Sequence, residues 1–160
     1  MSWVDFAELS LYSVTLFVSG IYGAHSNLKR NLVLSLFLFF VTALGMALLG
    51  EFSSYYIGIF IFIKALVGII NAFIWPTIMT SLALWFPKKG RGIIVGIWAT
   101  CNNVGHIGGA QISAVLLQRY EGNWWNLSYT VAGAFFVLML LCHFLLVIDP
   151  ADLGFKVTEL

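Results

Sequence analysis

Charged residues are so widely spaced along this chain that they divide it into five long apolar intervals. The intervals cover residues 9–28, 31–50, 52–87, 92–118 and 122–148. Only the third of them is interrupted by a charge, at Lys64. A helix of about 20 apolar residues crosses roughly 30 Å of hydrocarbon, and a segment in lipid must satisfy its own backbone hydrogen bonds. Each interval is therefore long enough to form a helix that spans a membrane.

The composition excludes a water-soluble globular domain. Hydrophobic residues make up 61% of the chain and charged residues 9%, whereas soluble domains carry about 25% charged residues. The net charge of +1 provides no basic surface for nucleic acid. We therefore predict an all-α, multi-pass transmembrane helical bundle. Its five helices are expected near residues 5–24, 31–50, 54–84, 91–117 and 128–148.

Six of the eight basic residues fall on one side of this five-helix zigzag, which predicts that this side is cytoplasmic. They are Lys29, Arg30, Lys88, Lys89, Arg91 and Lys156. The opposite side carries Trp124 and Trp125, which are typical of a membrane interface. Asn126 begins an Asn-Leu-Ser glycosylation motif on that side, but its position at a predicted helix start favours a chance match.

Lys64 is the most informative single residue, because a lysine inside an apolar interval should face the bundle interior or water. In a helix it shares one stripe with Gly68, Asn71 and Trp75, and Pro76 then interrupts the backbone hydrogen bonds. A cation, an amide and an aromatic ring on one stripe are suited to an anionic, hydroxylated solute. The alternative is structural: the lysine extends to the interface and the asparagine bonds a neighbouring helix.

The fourth predicted helix has a polar centre formed by Thr100, Asn102, Asn103 and His106. Asn103 and His106 share a face, whereas Asn102 is turned about 100° from Asn103, so we expect only part of this cluster to point at one cavity. His106 either binds phosphate when protonated or bonds a neighbouring carbonyl. Two Gly-x-x-x-Gly motifs in the same helix indicate close helix packing.

A catalytic or metal-binding role is not expected. We expect no acidic residue in the interior of any helix, and no His-x-x-x-His or Glu-x-x-His ligand spacing occurs. The serines have no identifiable paired base. Cys101 and Cys142 lie in apolar stretches, which indicates packing rather than a disulfide or a zinc site. The expectation is therefore a protein without catalytic residues, metal or cofactor.

Several motifs, in their order and spacing, resemble the major facilitator superfamily, and within it the organophosphate:phosphate antiporters. The motifs are Asn71 to Pro76 ending in Trp-Pro, Trp85-Phe86, Lys88-x-x-Arg91-Gly92, Gly96-x-Trp98 and Asn103 to Gly109. On this resemblance the five helices correspond to helices two to six of a twelve-helix transporter. Residues 1–160 would then form a partial N-terminal six-helix half.

The resemblance implies a transporter whose two halves rock around a central site and exchange inorganic phosphate for an organophosphate of the glucose-6-phosphate or glycerol-3-phosphate class. Together with the polar residues described above, it yields six candidate substrate-binding residues: Lys64, Asn71, Trp75, Asn102, Asn103 and His106. A cytoplasmic gating role is expected for Lys29, Arg30, Lys88, Lys89 and Arg91.

The expected partners are the organophosphate, inorganic phosphate, the lipid bilayer, and the remainder of a twelve-helix transporter or a full-length relative. The resemblance favours the endoplasmic reticulum or another endomembrane over the plasma membrane. The loop 23–29 departs from the family, because Ala24 replaces an expected acidic residue and His25 an expected arginine. Loss of that acid favours one alternative, a truncated non-transporting membrane interaction or regulatory protein. A second alternative is a major facilitator that carries a carboxylate or neutral metabolite.

Overall fold

The structure, a computed structural model, describes residues 3–23, 27–52, 57–86 and 90–148. It confirms the predicted all-α fold with five helices, and no strand occurs among these residues. The helices are α1 (Trp3–Gly23), α2 (Leu28–Glu51), α3 (Ile57–Trp85), α4 (Arg91–Arg119) and α5 (Trp124–Leu145).

Three helices, α1, α2 and α5, begin earlier than the charge spacing predicts. The side chain of Asn27 accepts a hydrogen bond from the Arg30 backbone N–H at 3.3 Å, which caps α2 and lets it start at Leu28. Lys29 and Arg30 were predicted in a loop, and that prediction is wrong, because both lie in the first turn of α2. Similarly, α5 starts at Trp124 rather than near residue 128.

The helices pack in an order that differs from their order in the chain. The most extensive contacts join α1 to α3 and α2 to α5, α2 also packs on α3, and α4 touches α5 only lightly. Phe39 and Phe135 stack at 5.0 Å in the middle of the α2–α5 interface. Where α2 ends and α5 begins, the Trp124 ring lies so close to Gly50 that a Cβ added to Gly50 would come within 2.7 Å of it. Contacts in the middle of the interface and at one of its ends therefore hold the antiparallel helices α2 and α5 together.

Among the residues that the structure describes, three helices, α2, α3 and α5, are long and apolar enough to cross a membrane. These helices indicate an integral membrane protein. In α1 the apolar face is interrupted by Asp5 and Glu8, and in α4 by a polar centre. The topology with five spans remains a prediction.

Pro76 lies inside α3 without ending it. A proline has no backbone N–H, so the carbonyl four residues earlier, that of Ala72, loses its helical partner. The hydroxyl of Ser19 in α1 donates a hydrogen bond to this oxygen at 2.7 Å, and both residues are buried. Ser19 therefore satisfies the carbonyl that the proline leaves free, and it ties α1 to α3.

Replacing Ser19 with alanine is expected to destabilise the protein by about 1–2 kcal/mol, because a buried carbonyl is left without a donor. In a Pro76→Ala background the same replacement should cost much less, since alanine at position 76 supplies the missing N–H. The measurement is unfolding in mixed micelles for the two single variants and the double variant. An equal cost of Ser19→Ala in both backgrounds would contradict the assigned bond.

Candidate functional site

Lys64 is paired with an acidic residue of the neighbouring helix. Its Nζ lies 3.1 Å from Oε2 of Glu8, and the two side chains are 35% and 23% exposed. Because α1 extends back to Trp3, Glu8 lies in its second turn, so the expectation that no helix contains an interior acidic residue is wrong. The Lys64 charge is therefore balanced within the protein, and a solute anion would compete with Glu8 for it.

Gly68 brings the two helices close together next to this ion pair. It is buried one turn after Lys64, and a Cβ at this position would overlap the backbone carbonyl oxygen of Glu8. One further turn along, Ala72 accepts the hydrogen bond from Ser19 of α1. The row formed by Lys64, Gly68 and Ala72 therefore faces α1 along its length.

The second half of the predicted stripe turns to a different neighbour. The Trp75 ring contacts Trp98 of α4 edge to face, with ring centroids 4.7 Å apart and planes at 81°. Asn71 is half-buried between these two regions of α3. The stripe is thus divided: its start is bound to α1, and its end lies beside α4.

The polar residues at the centre of α4 stay open to the surroundings. None of the α4 residues is buried, and Asn102, Asn103 and His106 are all exposed. Because α4 is one continuous helix, Asn102 and His106 lie one turn apart and all three side chains fall within about 100° of the helix circumference. These three side chains can therefore face a single cavity together.

If α4 spans the membrane, as the charge spacing predicts, this polar face cannot lie against lipid without cost, because polar side chains within a span require water or protein partners. The glycines of the two Gly-x-x-x-Gly motifs also have open space where a side chain would be. They are Gly92, Gly96, Gly105 and Gly109. Within the described residues, the polar face of α4 is therefore exposed, and no neighbour lies close enough to its glycines to contact an added methyl group.

The predicted basic gating residues have three different environments. Arg91 donates hydrogen bonds to the carbonyl oxygens of Ala83 and Phe86, each at 2.9 Å, and so caps the C-terminal end of α3. Lys29 and Arg30 line an open cavity between α2 and α5. The loop residues Lys88 and Lys89 lie outside the described residues. A gating role for any of them remains a prediction.

Three residues that shape this region were not among the sequence candidates: Glu8, Ser19 and Trp98. A signal for Glu8 was present, because α1 and α3 run in the same direction and Glu8 and Lys64 lie at comparable distances from the starts of these helices. A single sequence contains no comparable signal that Ser19 bonds the Ala72 carbonyl, which Pro76 leaves without a helical partner. Among the residues that the structure describes, no three His, Cys, Asp or Glu side chains group as metal ligands.

Comparisons with known proteins point to one family. The model of the Major Facilitator Superfamily matches residues 1–159. The glucose-6-phosphate exchanger SLC37A2 of Mus musculus is 31% identical over 160 residues, covering 93% of this chain and 29% of the relative. Sugar phosphate exchanger 3 of Xenopus laevis is 33% identical over 156 residues, covering 94% of this chain and 30% of the relative.

A third relative, from Arabidopsis thaliana, has a name that describes it as a candidate glycerol-3-phosphate transporter. It is 34% identical over 123 residues, covering 76% of this chain and 24% of the relative. The chain therefore spans less than a third of the length of these curated relatives. No solved structure matches the chain.

Proposed function

Since this chain belongs to the Major Facilitator Superfamily, we propose that it is part of a membrane transporter that exchanges an organophosphate for inorganic phosphate. The observation that carries this proposal is its similarity to proteins named as glucose-6-phosphate, sugar phosphate and glycerol-3-phosphate carriers. The organophosphate would be of the glucose-6-phosphate or glycerol-3-phosphate class. Exchange would proceed by alternating access, driven by the phosphate gradient.

In this proposal α4 forms a wall of the transport cavity. Its exposed polar face, Asn102, Asn103 and His106, meets the requirement that polar groups within a span face water or protein. The amides of Asn102 and Asn103 are suited to hydroxyl and phosphate oxygens, and a protonated His106 would add a charged donor.

The remaining candidates on α3 take different roles in the same proposal. Trp75, seated against Trp98, would offer a ring surface to the sugar, and Asn71 lies one turn before it on the same helix. Lys64 is proposed as a positioning residue, because Glu8 already binds its ammonium group. A substrate phosphate would reach Lys64 only by displacing that carboxylate.

We further propose five membrane spans, with the cytoplasmic side marked by the basic residues Lys29, Arg30, Lys88, Lys89, Arg91 and Lys156. The partner of this half would be the remainder of a twelve-helix transporter or a full-length relative, and its contact with α4 would close the cavity.

An endomembrane, such as the endoplasmic reticulum, is the proposed location. Subcellular fractionation tests the location. A test for N-linked sugar on Asn126 shows on which side of the membrane the start of α5 lies.

The proposed cavity wall predicts a pattern of chemical accessibility along α4. In a background with Cys101 and Cys142 replaced by alanine, cysteines at positions 102 and 106 should react with a membrane-impermeant thiol reagent. Glucose-6-phosphate or glycerol-3-phosphate should slow both reactions by about tenfold, as expected for a bound substrate near ten times its dissociation constant. The measurement is the labelling rate in sealed proteoliposomes that contain the protein in its full native length.

The matched control is Val104→Cys, because Val104 lies on the other side of the same helix at nearly the same depth and is also exposed. Its labelling should not respond to organophosphate. Equal protection of positions 104 and 106 would indicate a general change of conformation. No protection at either 102 or 106 would remove α4 from the proposed binding site.

A further inference from the structure

An open groove lies between the first turns of α2 and the last turns of α5, away from the ion pair and from the polar face of α4. Its volume is about 500 Å³, within the range of about 300–1,000 Å³ that small-molecule sites occupy. The lining residues are Asn27, Lys29, Arg30, Val33, Leu34, Phe37, Met139 and His143. The proposed transport function uses none of this surface for substrate.

The groove has a charged end and an apolar end. Lys29 and Arg30 lie at the start of α2, and His143 lies opposite them in the last turn of α5. No acidic side chain is among the described residues that line it. No other described residue forms an ion pair or a side-chain hydrogen bond with the charged groups of Lys29 or Arg30. This end therefore attracts anions.

The apolar end lies deeper along the same two helices. Val33, Leu34 and Phe37 continue from the basic turn of α2, and Met139 faces them from α5. Leu34 and Phe37 are 49% and 44% exposed, so the wall is uncovered. Stacking of Phe39 on Phe135 closes the space between the helices beyond it. The groove is thus amphipathic, with its cations at the predicted cytoplasmic interface and its apolar wall within the hydrocarbon.

We propose that this groove is a binding site for an anionic phospholipid of the cytoplasmic leaflet. The headgroup phosphate lies between Lys29, Arg30 and His143, and an acyl chain lies along Val33, Leu34, Phe37 and Met139. Charge complementarity and the order of the two ends select this occupant, because basic pockets between transmembrane helices on the cytoplasmic side fit anionic headgroups. A free anion satisfies only the charged end, whereas the lipid satisfies both.

The test is native mass spectrometry of the full-length protein with dioleoyl phosphatidylglycerol and dioleoyl phosphatidylcholine, which differ in headgroup charge and share their acyl chains. Phosphatidylglycerol should bind more tightly to the unmodified protein. The Lys29→Gln/Arg30→Gln variant should bind phosphatidylglycerol about 25-fold more weakly, since each basic residue near the headgroups contributes about fivefold. Phosphatidylcholine binding should not change.

The control is Lys88→Gln/Lys89→Gln, which removes the same charge from the same predicted side of the membrane and should keep phosphatidylglycerol affinity within about twofold. Equal losses in the two double variants would mean diffuse surface attraction and overturn the proposal. Unchanged binding by Lys29→Gln/Arg30→Gln would overturn it too. So would competition by millimolar inorganic phosphate as effective as that by phosphatidylglycerol, because the site would then take a free anion.

Lys29 and Arg30 also orient α2 in the membrane, so the double variant is tested beside His143→Ala, which leaves that orientation signal intact. His143→Ala should weaken phosphatidylglycerol binding by about threefold through the loss of one headgroup donor. An unchanged affinity in a correctly inserted His143→Ala protein would contradict the assigned headgroup position. A protein without exchange activity that still binds phosphatidylglycerol in this pattern would overturn the transport proposal alone.

Discussion

Replacing Gly68 with alanine is expected to lower the free energy of unfolding by about 3 kcal/mol, the upper part of the usual range for overpacking. The added methyl group would overlap the carbonyl oxygen of Glu8. This neighbour is backbone, so no side chain can rotate away, and α1 must move off α3. That movement would also strain the Lys64–Glu8 ion pair and the bond from Ser19 to Ala72.

A matched control exists in the same helix. Gly58 of α3 is exposed, and an added methyl group would meet only open space there, so Gly58→Ala should be neutral or stabilise the helix by up to about 1 kcal/mol. Both variants are measured by unfolding in mixed micelles, with the yield of inserted protein as a second readout. Equal stability of the two variants would show that α1 and α3 do not approach closely at Gly68.

Replacing Lys64 with methionine is expected to cost about 1–3 kcal/mol of stability, because Glu8 would keep its charge within the protein without a partner. This cost lies below the about 3–5 kcal/mol expected for a fully buried ion pair, since both side chains are partly exposed. The Glu8→Leu/Lys64→Met double variant should recover most of that loss, because apolar residues can replace an ion pair with little cost. The measurement is a double-mutant cycle on unfolding free energies.

The same cycle separates the positioning role of Lys64 from a direct role in binding. The stable double variant should retain affinity for inorganic phosphate if the lysine only joins α1 to α3. A double variant that inserts and unfolds normally but binds phosphate at least tenfold more weakly would place Lys64 in the substrate site. Arg119→Met, which removes an exposed charge at the end of α4, serves as the control for a general loss of positive charge.

Charge spacing predicted the five helices well, because the absence of charge over about 20 residues is a strong physical signal for a span. It was less informative at helix ends, where single side chains decide the boundary. Asn27 caps α2 and draws Lys29 and Arg30 into the helix. The aromatic Trp124 and Trp125 belong to the first turn of α5, where Trp124 packs on Gly50.

The candidate site was predicted only in part, because one sequence does not show which helices pack against each other. Helical periodicity correctly placed Lys64 and Gly68 on one face of α3, but it cannot say which helix that face meets. The partner, Glu8, lies 56 positions away in the chain. The Ser19 bond to Ala72 also spans two helices, and a single sequence contains no signal for such a pair. On α4, the face shared by Asn102 and His106 follows directly from the four-residue spacing.

The function proposed for this chain is that of one part of an organophosphate:phosphate exchanger. The most direct measurement is uptake of radiolabelled glucose-6-phosphate and glycerol-3-phosphate by proteoliposomes that contain the full-length protein. Vesicles preloaded with inorganic phosphate should take up at least one of these substrates, and vesicles without internal phosphate should not. Absence of uptake for every organophosphate tested, or equal uptake with and without internal phosphate, would contradict the exchange mechanism.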